Sequence, residues 1–382
     1  MPSRSTAPGG AVVDAVLVDS FLGGSHEAFA RGWIAHSRHR WRLIGLPARH
    51  WKWRQRLSAW TLGPRLASRR PAPQVVVTTG LIDLAHLRLA AGDTGRSPFL
   101  LYLHENQFSY PRPTGRPLDR SFAVSHVASL LAADGIALNS RSHRDAMRSE
   151  LRAFLSEVPP PRPGGCLTRL SSARVLYPGV RLDEFPPPSQ RPAGRPPVIL
   201  WNHRWEEDKR PGAFARALLR LDERGCAFRL VLLGTGEQVQ PTPLLLLREK
   251  LGPCILRDRP ARRGAEYRAW LRRADITVST AAQENFGYAT VEAMAAGAVP
   301  LLPRRLSYPE LLPRRLADRL LYDSDDDLVD RLETWLEDPV RIERLRRPVM
   351  QAARRYSWSR RVKALDDWVA DAAARAPGRA AS

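Results

Sequence analysis

The stretch ITVSTAAQENFGYATVEAMAAGAVPLL, residues 276–302, constrains what this chain can fold into more than any other. Two apolar runs, Ile276 to Val278 and Ala298 to Leu302, read as buried strands. A helix between them is framed by Gly287 near its start and Gly297 at its stop. Such a strand, loop, helix, strand unit belongs to a parallel α/β sheet and offers helix N–H groups to an anion. Two carboxylates lie inside it: Glu284 on the loop and Glu292 about 1.5 turns into the helix. They flank the place where a phosphate would sit, and each accepts hydrogen bonds from hydroxyls on both oxygens. The plain alternative is a solvated loop glutamate followed by an ordinary helical one. The flanking strands, Phe286-Gly287 and the small-residue run Ala293 to Gly297 favour a site.

The pattern E-N-F-G-x4-E-A-x-A-x-G resembles the E-x7-E signature of retaining glycosyltransferases of the GT-B fold, which take nucleotide-activated sugars as donors. The resemblance implies that Glu284 holds the donor sugar and Glu292 the ribose, with Asn285, Phe286 and Gly287 beside them.

At 382 residues the chain has room for two domains, each with its own core. Hydrophobic content of 43% and charged content of 26% read as soluble and globular. No apolar run approaches the roughly 18 residues of a membrane span. The first residues lack a charged segment followed by an apolar core and a cleavage site, so the cytoplasm is the expected compartment. Cys166, Cys226 and Cys254 show neither paired nor metal-ligand spacing, which suits a reducing compartment. The net charge of +21 attracts polyanions, nucleic acid first and an anionic membrane surface second. Nearly all the basic residues are Arg, however, and a GC-rich coding bias would also raise Arg.

Residues 1–10 are rich in Pro, Ser and Gly and are expected to be disordered. Val12 to Val18 reads as a first strand leading into Asp19-Ser20-Phe21-Leu22-Gly23-Gly24-Ser25-His26. Gly23 and Gly24 permit a tight strand-to-helix turn with close approach of backbone to a ligand; a plain turn is the alternative. His26 either points at that crevice or is a solvated first-turn residue. After a strand from Arg42 to Leu46 come interleaved cations and rings: Arg49, Trp51, Lys52, Trp53, Arg54 and Arg56. These offer charge to phosphates and ring faces to bases, or form an Arg-rich helix start with tryptophans packed inward. Val75 to Thr78 and Phe99 to Leu103 are further strands, and His104, Glu105, Asn106 and Gln107 crowd the end of the second. Leu118 to Ala133 has helical period, Gly135 to Leu138 is a strand, Ser140 opens another helix, and residues 156–172 read as a surface loop.

Six motifs, GGSHEAF, LPARHWKWR, YLHENQFSYP, ILWNHRWEEDKRP, RADITVSTAAQENFGYATVEAMAAG and PLLPRRLSYPEL, occur in that order. Together they resemble the tRNA-queuosine mannosyltransferase family over most of residues 11–313. The resemblance implies a retaining transfer of mannose from GDP-mannose to the cyclopentenediol of queuosine in the anticodon loop of tRNA(Asp). A tRNA acceptor agrees with the positive charge. On this reading Arg49, Lys52, Arg54 and Arg56 grip the tRNA while Trp51 or Trp53 stacks a loop base. His26, His104, Glu105, Asn106 and Gln107 belong to the acceptor side, His104 also near the sugar, and Gly23 and Gly24 belong to the donor side.

Val175 to Val180 with Asp183 and Phe185 resembles the close of a first domain, and the Pro-rich segment Pro186 to Pro197 reads as a linker. The second domain opens with the strand Val198 to Trp201. In the family's pattern a basic pair after this strand neutralises the donor diphosphate, and Arg204 and Lys209 stand there. A departing diphosphate gains charge in the transition state, so fixed cations stabilise that state more than the ground state. With Glu206, Glu207 and Asp208 adjacent, the alternative is a surface cluster of ion pairs. A helix from Gly212 to Arg224 and a strand from Phe228 to Leu233 lead to Gly234-Thr235-Gly236, a turn where backbone could touch a nucleotide. Cys254 to Leu256 is a short strand, Ala265 to Arg273 a helix, and Tyr308 to Leu311 a short helix. Asp323 to Asp327 offers D-x-D spacing but directly precedes a helical pattern, so it is read as capping; no metal site and no cofactor are expected. From Leu328 helical period runs to about Ala374, and Val362 to Ala372 is the candidate for a helix crossing back to the first domain.

The expected architecture is α/β, a GT-B fold of two Rossmann-like domains facing across a cleft: an acceptor domain over 11–185, a linker over 186–197, a donor domain over 198–361 and a returning helix over 362–374. A monomer is expected. Two other classes stay open. One is an enzyme of the same fold using another nucleotide-hexose or a lipid or polysaccharide acceptor; a basic amphipathic helix with an exposed apolar face would favour it, and the sequence offers no clear one. The other is a non-catalytic RNA-binding protein on the same fold, against which the joint presence of Glu284, Glu292, Arg204 and Lys209 argues.

Overall fold

The computed structural model describes residues 11–108, 119–185, 194–234, 242–261 and 264–376. The expected disorder of residues 1–10 and most of the expected linker, 186–193, lie outside the described residues. The chain forms two compact units, Met1–Gly179 with Trp358–Ser382, and Val180–Ser357.

In the first unit strands β1 (Asp14–Leu22), β2 (Arg40–Pro47), β3 (Val75–Thr79), β4 (Phe99–Leu103), β5 (Gly135–Leu138) and β6 (Arg174–Val175) form one sheet in the order β2-β1-β3-β4-β5-β6. Every neighbouring pair is parallel. Helices α1 (Gly24–His36), α2 (Trp51–Ala67), α3 (Leu84–Ala90), α4 (Arg120–Ala132), α5 (Arg141–Glu157) and α6 (Cys166–Ser171) connect them. The central strands β3 and β4 are buried along their whole length, which is why they lack the alternation of polar and apolar residues of a half-exposed strand. On α5, His143, Met147, Leu151 and Leu155 recur every four residues as the buried face, and the Ser140 side chain caps its start by accepting from His143 N at 3.0 Å.

The second unit repeats the plan. Strands β7 (Val198–Trp201), β8 (Arg229–Leu232), β9 (Ile255–Arg257), β10 (Ile276–Val278), β11 (Val299–Pro303) and β12 (Leu321–Tyr322) lie in the order β12-β11-β10-β7-β8-β9. They too are parallel. Its helices are α7 (Pro211–Glu223), α8 (Thr242–Leu251), α9 (Ala265–Arg273), α10 (Tyr288–Ala295), α11 (Tyr308–Leu311), α12 (Arg314–Leu320), α13 (Asp325–Glu337) and α14 (Pro339–Ala353).

The last described helix, α15 (Trp358–Ala374), belongs to the first unit. Its entry is fixed by two glycines: a Cβ on Gly32 would stand 2.3 Å from the Trp358 ring, and one on Gly179 would stand 2.1 Å from it. Asp366, also buried, accepts from Trp33 Nε1 at 2.8 Å, Ser37 Oγ at 2.7 Å and Arg38 N at 2.8 Å, tying α15 to α1.

Several expectations need revision. Residues 156–172 are not one surface loop: α5 runs to Glu157 and α6 occupies Cys166–Ser171, with Cys166 and Leu170 buried beneath it. The helical period from Leu328 is broken into α13, α14 and α15. Pro339 at the first position of α14 starts a new helix, and extended backbone at Ser357 starts the last. Helices α3, α8 and α12 and strand β12 were not anticipated.

Candidate active site

Strand order in the second unit switches between β7 and β10, the place where open parallel sheets bind ligands outside their strand C-termini. Both segments picked out above leave the sheet there, one after β7 and one after β10. They are stitched together by hydrogen bonds to backbone carbonyls: Ala282 N donates to the Asp208 carbonyl at 2.8 Å, and Thr280 Oγ1 donates to the Lys209 carbonyl at 2.8 Å. This places Lys209 Nζ 3.5 Å from Glu284 Oε2 and 3.1 Å from Asp208 Oδ2, while it donates to the Gln283 carbonyl at 2.5 Å. Burial alone would lower the lysine's pKa, but the Glu284 and Asp208 charges outweigh it and hold the ammonium above the ordinary lysine value. Buried His203 beside it is driven down to about 3, by burial first and then by the Lys209 charge, so its ring is neutral.

Arg204 is placed differently. Its side chain is half exposed and pairs with Glu206 Oε1 at 2.9 Å, the surface ion pair foreseen as the alternative, although its charge still reaches Lys209 and His203. Glu292 anchors a chain of side chains: its Oε2 accepts from the Tyr267 hydroxyl at 2.7 Å, and that oxygen accepts from Asn202 Nδ2 at 2.7 Å. Helix α10 is preceded by Gly287, whose φ of +96° suits glycine, and no side chain caps the helix. Phe286 is buried and packs its ring edge-on against Tyr288 and Tyr356, 5.0 and 5.3 Å between centroids, while Asn285 is half-buried. Gly234 is needed for packing, since a Cβ there would fall 1.5 Å from Trp205 Nε1. The rest of that turn, Thr235-Gly236, lies outside the described residues.

The first unit has its own switch point, between β1 and β3. Gly23 is extended, and what excludes a side chain there is space, because a Cβ would stand 2.5 Å from that of Ala48; Gly24 has φ +59°. His26 is buried and bridges two carboxylates, Nδ1 donating to Asp19 Oδ2 at 3.0 Å and Nε2 donating to Glu105 Oε1. Burial lowers its pKa, yet Glu105 and then Asp19 raise it well above the usual histidine value, so the ring is an imidazolium. His104, 4.4 Å away between centroids, is packed against Phe29 and Tyr102 and held neutral by burial and by the His26 charge. Asn106 donates to Glu150 and accepts from Phe108 N, and Gln107 is buried.

Helix α2 carries the basic and aromatic set. Lys52 and Trp53 are exposed, Trp53 by 64%; Arg49 is exposed just before the helix. Arg54 is half-buried, and Trp51 packs on Phe122 at 5.2 Å with Lys52 Nζ 5.8 Å from its ring. Arg56 is held by Asp119 at 2.6 Å and Ser121 at 2.8 Å. Leu57 and Trp60 continue an exposed apolar stripe from Trp53. The basic helix with an exposed apolar face that the sequence did not reveal is therefore present. Its opposite face is also apolar, with Ala59, Leu62 and Leu66 buried, and that conceals the stripe in the periodicity.

Among the described residues no three His, Cys, Asp or Glu side chains are grouped to hold a metal ion, and Ser324 caps α13 by accepting from Asp327 N at 3.1 Å. Nor is any described helix long and apolar enough to cross a membrane.

Residues 14–180 match the profile described as "tRNA-queuosine alpha-mannosyltransferase N-terminal", and residues 184–355 match "Glycosyl transferases group 1". The tRNA-queuosine alpha-mannosyltransferase of Drosophila melanogaster is 29% identical over 334 residues, covering 85% of this chain and 87% of that protein. The chain belongs to the tRNA-queuosine alpha-mannosyltransferase family. It is a glycosyltransferase. A D-inositol 3-phosphate glycosyltransferase of Xylanimonas cellulosilytica is 31% identical over 70% of this chain and 63% of its own length. Among solved structures, a sucrose-phosphate synthase from Thermosynechococcus elongatus superposes with a TM-score of 0.71 at 14% identity, covering 94% of this chain and 98% of that one. Anabaena HepE in complex with UDP and glucose gives 0.66 at 14% identity over the same shares. These likenesses establish the GT-B fold for this family member.

Sequence reasoning missed Asp208 as the second carboxylate on Lys209, and Tyr267 and Asn202 as the partners of Glu292. Asn202 had a readable signal, being the first residue after β7. Tyr267 had none, since it lies mid-surface on α9, 25 residues before its partner.

Proposed function

We propose that this glycosyltransferase moves mannose from GDP-mannose to the cyclopentenediol of queuosine in the anticodon loop of tRNA(Asp). The observation that carries the donor half is Lys209 Nζ, 3.5 Å from Glu284 Oε2 at a sheet switch point. A fixed ammonium held on the loop that leads into the uncapped helix α10 suits a diphosphate, and the Glu284 carboxylate suits the hydroxyls of its hexose. Glu292, already hydrogen-bonded to Tyr267, takes the ribose.

No carboxylate is assigned as a nucleophile, so the reaction is a same-face displacement. The bond from the anomeric carbon to the donor phosphate breaks as that carbon bonds to the acceptor oxygen. The leaving phosphate takes the acceptor hydroxyl's proton, while Lys209, with Arg204 after it exchanges Glu206 for phosphate, stabilises the growing charge. The cations supply what the step needs, and no metal is assigned a role. His104, neutral and buried, lies on the acceptor side with His26, Glu105, Asn106 and Gln107. Arg49, Lys52 and Arg54 contact tRNA phosphates, Arg56 joins them on releasing Asp119, and exposed Trp53 stacks a loop base. The enzyme works as a cytoplasmic monomer.

The test is purified protein with GDP-mannose and queuosine-containing tRNA, UDP-glucose serving as the control donor, followed by weighing the nucleoside for one added hexose. Binding of tRNA should weaken with salt at a log–log slope of about −3 for three to four phosphate contacts. A slope near zero, or no hexose gain, would refute the assignment. A second reading, a lipid-linked acceptor at an anionic surface, is favoured by the Trp53, Leu57 and Trp60 stripe among basic residues. Co-sedimentation with anionic vesicles at a salt concentration where tRNA is released would support it instead.

A further inference from the structure

Helix α4 buries a histidine that no motif picks out. His126 is 1% exposed, and neither ring nitrogen has a hydrogen-bond partner. Buried polar atoms are almost always paired, so an unpaired imidazole inside a unit asks what it serves. Next to it a second polar atom has the same status: Glu105 Oε2 is buried without a partner, although Oε1 of the same carboxylate accepts from His26. The two border one spot. A Cβ built on Gly80, the residue just past β3, would stand 3.7 Å from His126 Nε2 and 3.8 Å from Glu105 Oε2. Gly80 has ordinary φ, so its lack of a side chain is not demanded by the backbone. Thr79 Oγ1, one residue earlier, is a further buried atom without a partner.

The chemistry of the spot is defined by its neighbours. His26 carries two N–H groups into two carboxylates, which occupies Oε1 of Glu105 and leaves Oε2 open to a donor. Burial holds His126 at about 4, so at neutral pH it is an uncharged ring with one N–H donor and one bare nitrogen. Behind it His143 is pinned: Asn139 Nδ2 donates to the His104 carbonyl, which turns Asn139 Oδ1 toward His143 Nδ1–H at 2.8 Å. One carboxylate oxygen and one neutral imidazole N–H bordering the same point match a hydroxyl, which gives one hydrogen bond and receives one. They mismatch a phosphate, which Glu105 would repel.

We propose that Gly80, Glu105 and His126 form a hydroxyl-binding niche that seats one hydroxyl of the acceptor's vicinal diol, its O–H donating to Glu105 Oε2 and its oxygen accepting from the His126 ring N–H. The identity of the diol as queuosine's rests on the function proposed above; the niche itself does not. The other hydroxyl is left to attack the donor.

Two measurements test this on the full chain. Long-range 1H–15N spectra of its histidine rings are recorded with cis-cyclopentane-1,2-diol as probe and cyclopentane carboxamide as a diol-free control. The His126 ring signals should shift with the diol alone and lose that response in Gly80→Ala, whose methyl occupies the spot against the yielding Leu103 side chain. In kinetics with queuosine-containing tRNA, Gly80→Ala and His126→Leu should raise the acceptor KM roughly tenfold or more, with the GDP-mannose KM unchanged. Silent His126 signals together with a wild-type acceptor KM in both variants would overturn the niche and mark the unpaired atoms as sites for structural water only. A diol response in a protein that adds no hexose to tRNA would keep the niche and sink the tRNA reading.

Discussion

Replacing Lys209 with Met keeps the length of the side chain and removes its charge, and the consequences divide cleanly between stability and rate. The ammonium is 9% exposed and sits 3.5 and 3.1 Å from two carboxylates. At an effective dielectric of about 20 each attraction is worth about 5 kcal/mol before desolvation is subtracted. Removing one partner of such a buried cluster leaves Asp208 and Glu284 repelling each other, at a net cost of about 3 kcal/mol. Because the folded pKa of Lys209 is raised, its contribution is fully present below the ordinary lysine value and is lost only as pH rises through the folded value above it, so a neutral assay sees all of it. Loss of one preorganised charge on the leaving phosphate should lower kcat about 10²- to 10³-fold. The double variant Lys209→Met with Glu284→Gln separates the two effects. Stability measured by urea unfolding should recover most of its loss, because an unpaired carboxylate has been removed, whereas hexose transfer should stay at the level of the single variant or below. A Lys209→Met enzyme turning over within about threefold of wild type would refute the placement of the diphosphate.

Two further outcomes follow from the geometry. Asp366→Ala strips three donors of their buried acceptor and should cost about 3–5 kcal/mol, seen as a lower melting temperature and lost amide protection in α1; a change under about 1 kcal/mol would show that α15 is held by its apolar contacts alone. His126, at about 4, and His143 and His203, each at about 3, stay neutral when folded and protonate on unfolding, so each removes up to about 1.4 kcal/mol of stability per pH unit as pH falls below about 6.5. His26 has the opposite sign: its contribution is full below that value and fades as pH rises through its elevated folded value. Urea midpoints at pH 7 and pH 5 should therefore fall toward acid, and fall further in His26→Gln; a flat profile would contradict the burial of these rings.

What could be read from the chain beforehand follows a physical rule. Central parallel strands are covered on both faces, so Val75 to Thr79 and Val198 to Trp201 announce themselves as short apolar runs between turns. Glu284 and Lys209 could be singled out as candidates because ligands gather on the loops after such strands, and both loops can be counted from the strand ends. The partners of Glu292 could not, because Asn202 and Tyr267 are 65 residues apart and meet only once β7 and α9 are packed. His126 was hidden for a different reason: within SFAVSHVASLLA it reads as one polar letter in an apolar helix, and nothing local says that its ring goes unpaired. Arg204 shows the limit of motif transfer, since position beside β7 placed its backbone correctly while Glu206 decided where its guanidinium points.

The seat of Trp358 between Gly32 and Gly179 has a consequence for how this polypeptide is made. The ribosome must deliver all of Val180–Ser357 before the tryptophan that closes over α1 has even been synthesised. Until then the nascent amino-terminal portion carries Trp33 and Ser37 with no Asp366 to receive them. A premature stop anywhere in that interval would therefore release two injured halves rather than one intact and one missing.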